Sequence, residues 1–246
     1  MRLSLPRRFR GVRVVGDVHG EAAAFRAAIE GAAASGLFLV QLGDLTDHGP
    51  DSPGVLGAMF ALIDSGAGLF LLGNHDHKLR RALLGRAKPG LHDGLAVTLA
   101  QLAAHPEGEA LAARAAAEIA RAPAWVAWGR RRLFVHGGFH PAMLDRPPPP
   151  DAGERRPVGA VARALYGQTV RGALTEEGFP VRLLDWVDAI PDGFTVYCGH
   201  DNRSGDGRPH IRCGRAGGTA VFLDTGAGKG GHLSWLDLAA EGGIEA

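Results

Sequence analysis

Cysteine is scarce in this chain. Its 246 residues contain only Cys198 and Cys213, and neither belongs to a CxxC pair. That excludes a disulfide-built scaffold and argues against a structural thiolate zinc site. Lysine is almost as rare: Lys78, Lys88 and Lys229 are the only three among 27 basic side chains, and arginine supplies the rest. Charge of one sign is also missing, since 27 basic residues face 26 acidic ones. A net charge of +1 gives no global field that demands a nucleic acid or a membrane as partner. No apolar run approaches the roughly 20 residues needed to span a bilayer, and the basic N-terminus MRLSLPRRFRGVRVVG has no apolar h-region after it. These absences predict a soluble, cytoplasmic protein with no membrane partner and no evident obligate protein partner.

The first third alternates short apolar runs with helical patterns. Val12 to Val15, Leu37 to Leu42 and Leu69 to Leu72 read as buried strands, and Glu21 to Ala34 and Ser52 to Ser65 as helices. This order predicts an α/β fold with a parallel sheet. The stretch near 75–122 is helical in character, and Ala124 to Ala127 and Arg132 to Val135 return to strand. Near 144–157 the segment LDRPPPPDAGERRP holds five prolines and reads as an exposed loop or lid, not as a domain linker. A helix is expected from Val158, and FTVYCGH, TAVFLDTG and HLSWLDL make the second half strand-rich. Residues 1–246 are read as one domain. The glycine-rich GAGKGG lacks P-loop spacing, because Gly230 follows Lys229 where Ser or Thr is required.

Five of the strands end in polar residues able to hold metals. They are Asp17 with His19, Asp44, Asn74 with His75, His136 in VHGG, and His200 in YCGH. Ligands in open α/β sheets bind beyond the carboxyl ends of strands, so these clusters are expected to converge on one edge. A lone histidine is usually a surface or core residue. The same pattern five times over, each time beside glycine, is hard to explain by packing. Oxygen and imidazole donors without thiolate suit manganese, iron or zinc without choosing among them. Two such ions can clamp the attacking and leaving oxygens of a phosphoryl displacement and turn a bound water into hydroxide near neutral pH.

In order and spacing, GDVHG, GDLTDHGPDS, GNHD, VHGG and CGH resemble the signature of the calcineurin-like metallophosphoesterases. Within that family they resemble the branch of phosphoprotein phosphatases and symmetrical dinucleoside tetraphosphatases. GNHDHKLRRALLGR, HDGLAVTLAQL, GFPVR and FLDTGAGKGGHLSWLDL further resemble the phosphatase domain of bacterial polynucleotide kinase-phosphatases. The resemblance implies a central β-sandwich of mixed sheets flanked by helices, and two divalent ions, with manganese favoured. By the same resemblance Asp17 and His19 would hold one ion, Asp44 would bridge, and Asn74, His136 and His200 would complete the second site. His75 would protonate the leaving oxygen, oriented by Asp47, and Asp224 would support a ligand from behind. Asn74 would also face substrate. The implied activity is hydrolysis of phosphomonoesters by metal-bound hydroxide, with RNA or DNA ends, or nucleotide phosphates, as substrate.

Two departures qualify this. His48 stands where the family carries a phosphate-gripping arginine, and imidazole cannot form the planar bidentate fork. Arg80, Arg81 and Arg203 are the candidates to replace it. Asp201 follows His200 where threonine is usual, with no evident reason. Asp47 can also be read as a turn aspartate before Gly49 and Pro50. The alternatives are a serine/threonine protein phosphatase, a dinucleoside tetraphosphatase, or a binding module that kept the fold without the chemistry.

Overall fold

The computed structural model describes residues 1–88, 90, 94–176, 178 and 180–240. Pro89 and 91–93 of the expected helical segment, and Phe179 of GFPVR, lie outside the described residues. In chain order the strands are β1 (Gly11–Val15), β2 (Leu37–Gln41), β3 (Gly68–Phe70), β4 (Trp125–Trp128), β5 (Arg132–Val135), β6 (Gln168–Leu174), β7 (Pro180–Leu183), β8 (Thr195–Cys198), β9 (His210–Cys213), β10 (Thr219–Phe222) and β11 (Trp235–Ala239). The helices are α1 (Ala22–Ala34), α2 (Ser52–Asp64), α3 (Asn74–Leu83), α4 (Gly94–Ala104), α5 (Gly108–Arg121), α6 (Ala142–Asp145) and α7 (Gly159–Tyr166).

Two mixed sheets form the centre. One has the order β11-β1-β2-β3 and the other β4-β5-β8-β10-β9, with β6 and β7 as a separate hairpin. β1 and β2 are buried at every residue, which is why they read as unbroken apolar runs. Their alternate side chains divide between two cores. Val12, Val14, Phe38 and Val40 meet Val126, Phe134, Tyr197 and Val221 between the sheets. Val15 and Leu39 turn outward to Phe25 and Ala28 of α1 and to Met59 of α2. Each fully buried valine, leucine, methionine or phenylalanine among these stabilises the fold by roughly 1.5–3 kcal/mol. Arg13 is the polar exception in β1: it forks onto Asp237 through two 2.7 Å bonds and donates to the Ala28 carbonyl at 2.9 Å, so its buried charge is paired.

Register positions the site. Val15 lies opposite Gln41, and Gln41 opposite Phe70, so β1, β2 and β3 finish level with one another. Phe134 lies opposite Tyr197 and Cys198 opposite Phe222, which brings the ends of β5, β8 and β10 level in the second sheet. The segments that follow β1, β2, β3, β5, β8 and β10 therefore emerge along a shared rim.

The structure adds three strands that composition did not mark: the hairpin β6–β7 and the edge strand β9, whose residues are mostly exposed or half-buried. It also revises the reading of the proline-rich loop as exposed. The loop's outer residues are open, but Ala152 is fully buried and Gly153 packs so tightly on α5 that a Cβ there would sit 1.9 Å from the Ile119 carbonyl oxygen. Small residues at its centre let a segment that cannot form a regular element dock along α3 and α5. No helix of the described residues is long and apolar enough to cross a membrane.

Candidate active site

Among the described residues, five that are not glycine have positive φ: His19, Asp44, Asp47, His48 and His200. All five belong to the candidate site. Such backbone costs of order 1–3 kcal/mol per residue and persists only where the surroundings enforce it. The enforcement is visible. Asp76, fully buried, accepts from the amides of Asp44, Leu45 and Gly73 at 2.8, 3.1 and 3.0 Å and so ties the turn after β2 to the start of α3. Burial, then the charge of Asp44, pushes the Asp76 carboxyl up to about 6. Gln41 braces the same turn through the Gly43 amide and the carbonyls of Gly16 and Gly43. Two glycines are required by close approach. A Cβ on Gly43 would fall 2.8 Å from His136 Nδ1, and one on Gly199 would fall 2.0 Å from Asp17 Oδ1.

Asp44 is the hub. Its Oδ2 lies 3.4 Å from His136 Nε2, 3.8 Å from His19 Nε2 and 4.0 Å from His75 Nε2, and its Oδ1 accepts the His75 amide at 2.9 Å. Two donor triads share it, Asp17–His19–Asp44 and Asp44–His136–His200, each with its ligand atoms within 4.8 Å of one another. Asn74 joins the second triad, its Oδ1 2.9 Å from His136 Nε2. The sheets meet here: both oxygens of Asp17, after β1, accept the His200 amide of the second sheet at 3.0 Å.

The imidazoles are oriented from behind. His19 Nδ1 bonds the Thr46 carbonyl at 2.8 Å and His136 Nδ1 the Leu42 carbonyl at 2.9 Å, so each Nε2 is aimed at the cluster. Burial lowers His19 to about 3, with Lys229 and His75 adding to the effect, so its ring is neutral. Burial also holds His200 well below its usual range, with His136 contributing. Burial opposes charge on His136, but Asp44 outweighs it and carries the ring up to about 9. Asp44 in turn is held well below the usual carboxylate range: burial works against ionisation, and His136 and His75 overcome it. Asp17 is pushed well up by burial and by Asp224. Among the described residues Asp224 makes no polar contact with the side chains of the two triads; it accepts the Gly226 amide at 2.9 Å and acts on Asp17 through space.

His75 and Asp47 form a separate pair, Nδ1 to Oδ2 at 2.5 Å. Asp47 is fully buried, and its Oδ1 accepts the Thr98 hydroxyl at 2.9 Å. Burial opposes protonation of His75, yet Asp44 and the bond to Asp47 raise it above its ordinary value. Asp47 also sits at a turn, so both readings of this aspartate describe part of its position. The exposed His48 ring lies with its centroid 5.0 Å from that of His19 and 5.5 Å from that of His75.

The candidates for the missing arginine separate clearly. Arg203 is held by Asp201 at 2.8 Å, which also gives the unexpected aspartate a role. Arg80 is bound to the carbonyls of Ala116 and Gly153 and to Glu154. Arg81 lies further along α3, in the lining of a basic cavity. Lys229 is a cation that does reach the cluster, its Nζ 3.1 Å from His19 Nε2. Sequence reasoning missed it because GAGKGG was tested only as a phosphate loop. The overlooked signal was the LDTG segment just before it, already assigned to the site.

Paired oxygen and nitrogen donor sets around one shared carboxylate fit a pair of divalent cations. Lys229 Nζ donates to His19 Nε2, so that ring nitrogen presents a lone pair toward the cluster. An α/β sandwich with such a centre at its strand ends defines the class of metal-dependent phosphoesterases. The family model of calcineurin-like phosphoesterases matches residues 12–168, and the chain belongs to that family. Among curated proteins it is similar to the asymmetrical bis(5'-nucleosyl)-tetraphosphatase PrpE of Geobacillus thermodenitrificans, 29% identical over 92% of this chain and 89% of the relative. The PrpE of Halalkalibacterium halodurans is 28% identical over 82% and 75%. Among solved structures, that of a candidate diadenosine tetraphosphatase superposes with a TM-score of 0.59 at 21% identity, covering 97% of both chains. A serine/threonine phosphatase from Saccharomyces cerevisiae gives 0.58 at 15% identity, over 97% of this chain and 82% of that one. At such identities these structures bear on the fold alone.

Proposed function

We propose that this phosphoesterase hydrolyses nucleotide phosphates at a two-metal centre, with dinucleoside polyphosphates as the favoured substrate class. The observation that carries the chemistry is Asp44, shared by two donor triads and adjacent to the His75–Asp47 pair. Asp17 and His19 would hold one ion, Asp44 would bridge, and Asn74, His136 and His200 would hold the other. Divalent cations bound there supply charge neutralisation at phosphorus and acidify a water molecule, with manganese favoured and iron or zinc also compatible with the donors. The chain's own residues do the rest. His75, raised above its ordinary value because Asp44 and the bond to Asp47 outweigh burial, donates its proton to the leaving oxygen. Lys229 provides the cation missing at position 48, and Asn74 and His48 border the bound phosphate.

The flanking motifs favour nucleic-acid ends, whereas the names of the similar curated proteins favour dinucleoside polyphosphates. The second has the broader support, because those matches run over most of the chain. The test is hydrolysis, with manganese present, of bis(5'-adenosyl) tetraphosphate, 3'-phosphorylated RNA, a phosphoserine peptide and p-nitrophenyl phosphate. The tetraphosphate is expected to give the highest kcat/KM. Preference for RNA ends would move the substrate to the second class, and no turnover of any substrate by metal-loaded protein would leave only a binding module.

A further inference from the structure

A cavity of about 420 Å³ lies beside α3, in the size range of small-molecule sites. Its lining includes five arginines, Arg80, Arg81, Arg86, Arg155 and Arg156, together with Tyr166. One wall comes from α3 and the turn after it. The other comes from the end of the proline-rich loop, which supplies 154–157. Two of these guanidinium groups are already matched, Arg80 with Glu154 and Arg155 with Asp151. Arg81, Arg86 and Arg156 have no carboxylate partner among the described residues, and Glu154 is the one acid in the lining. Three unmatched guanidinium groups in one concavity repel each other and favour a multiply charged anion over solvent.

α3 carries residues of both the cavity and the candidate site. His75 and Arg81 lie six residues apart on α3, roughly 9 Å along the axis at 1.5 Å per residue. On the other side, Gly137 follows the ligand His136, and a Cβ on it would lie 2.9 Å from the Tyr166 amide nitrogen. Tyr166, which lines the cavity, thus packs by its backbone against the turn that follows His136. Its hydroxyl is raised by burial first, while Arg81 on one side opposes and Asp44 on the other adds to the shift.

We infer that the arginine cavity is an anionic subsite that holds the polyphosphate chain of the substrate beyond the scissile phosphate. This rests on the phosphoesterase reading above and narrows its substrate class. A nucleic-acid strand carries one charge per internucleotide phosphate, and proteins that follow such a strand use an extended basic groove with stacking aromatics. A compact cavity with clustered guanidinium groups matches the higher charge density of linked phosphates. It also gives the proline-rich loop a purpose, since that segment carries Arg155 and Arg156 to face α3.

The test is calorimetric titration of the full, metal-loaded chain with inorganic tripolyphosphate, with orthophosphate as the reference. Relative to orthophosphate, tripolyphosphate binding is expected to weaken at least tenfold in the double variant Arg86→Glu/Arg156→Glu. The ratio of kcat/KM for bis(5'-adenosyl) tetraphosphate to that for p-nitrophenyl phosphate should fall by a similar factor, and Arg86→Lys/Arg156→Lys should retain most of it. Unchanged tripolyphosphate affinity overturns the subsite, as does a parallel loss on both substrates. If wild-type protein cleaves phosphomonoesters but no dinucleoside polyphosphate, the functional reading fails, while the tripolyphosphate arm still decides the cavity. If turnover of 3'-phosphorylated RNA shows the dependence and the tetraphosphate does not, a polyphosphate is the wrong occupant.

Discussion

Replacing Asp47 by asparagine tests the proposal that His75 is the proton donor. The carboxylate accepts from Thr98 on one oxygen and from His75 Nδ1 on the other. An asparagine side chain that keeps the Thr98 bond must turn its amide N–H toward Nδ1, which then accepts. The proton moves to Nε2, and the ring becomes a neutral imidazole and a poor acid. A hydrogen bond to a charged group is worth about 1.5–3 kcal/mol, so at 1.36 kcal/mol per unit the His75 pKa falls by roughly one to two units. The sign follows from its raised folded value: protonated His75 adds stability that is complete below about 6.5 and disappears as pH climbs through the folded pKa. Activity that needs the protonated ring therefore loses its alkaline limb one to two pH units earlier in Asp47→Asn. Loss of general acid catalysis costs on the order of 10²–10⁴ in kcat, but only where the leaving oxygen needs a proton. The assay compares pH–rate profiles on an alkyl phosphate and on p-nitrophenyl phosphate, whose phenolate departs unaided. An equal drop on both substrates, or an unmoved alkaline limb, would refute the assignment.

Other substitutions probe the remaining parts. Asp44→Asn removes the shared charge but retains an acceptor for the His75 amide and a residue type that tolerates positive φ; elemental analysis should show metal content falling sharply while the circular dichroism spectrum stays native. Lys229→Met should raise KM for phosphate substrates about tenfold, at the low end for a charged hydrogen bond because this residue is exposed. Adding His48→Arg to that variant should recover part of the loss. Phe134→Ala, at a fully buried position between the sheets, should cost about 3–5 kcal/mol, seen as a melting temperature lower by on the order of 10 °C.

Much of this arrangement was legible in the sequence, for physical reasons. β1 and β2 are covered on both faces, so they read as apolar runs, and the polar residues just beyond them marked the rim. β6 and β9 are largely exposed edge elements without an apolar face, and pattern reading passes over them. Asp17, Asp44 and His136 could be listed as ligands, but not that one carboxylate would stand within 4.0 Å of three imidazoles. The approach of Lys229 to His19 joins residues 210 positions apart, and the arginine cavity joins two segments about 70 apart. The cavity leaves no local trace, and Lys229 leaves only its place just after LDTG.

Asp44 arises from one sheet and His136 and His200 from the other, so a cation held by that triad would stitch the sandwich shut at its open end. Ion affinity and cohesion of the two layers then draw on a single free energy. Damage to the greasy interior, far from any reacting atom, should surface first as an enzyme that lets go of its ions too readily.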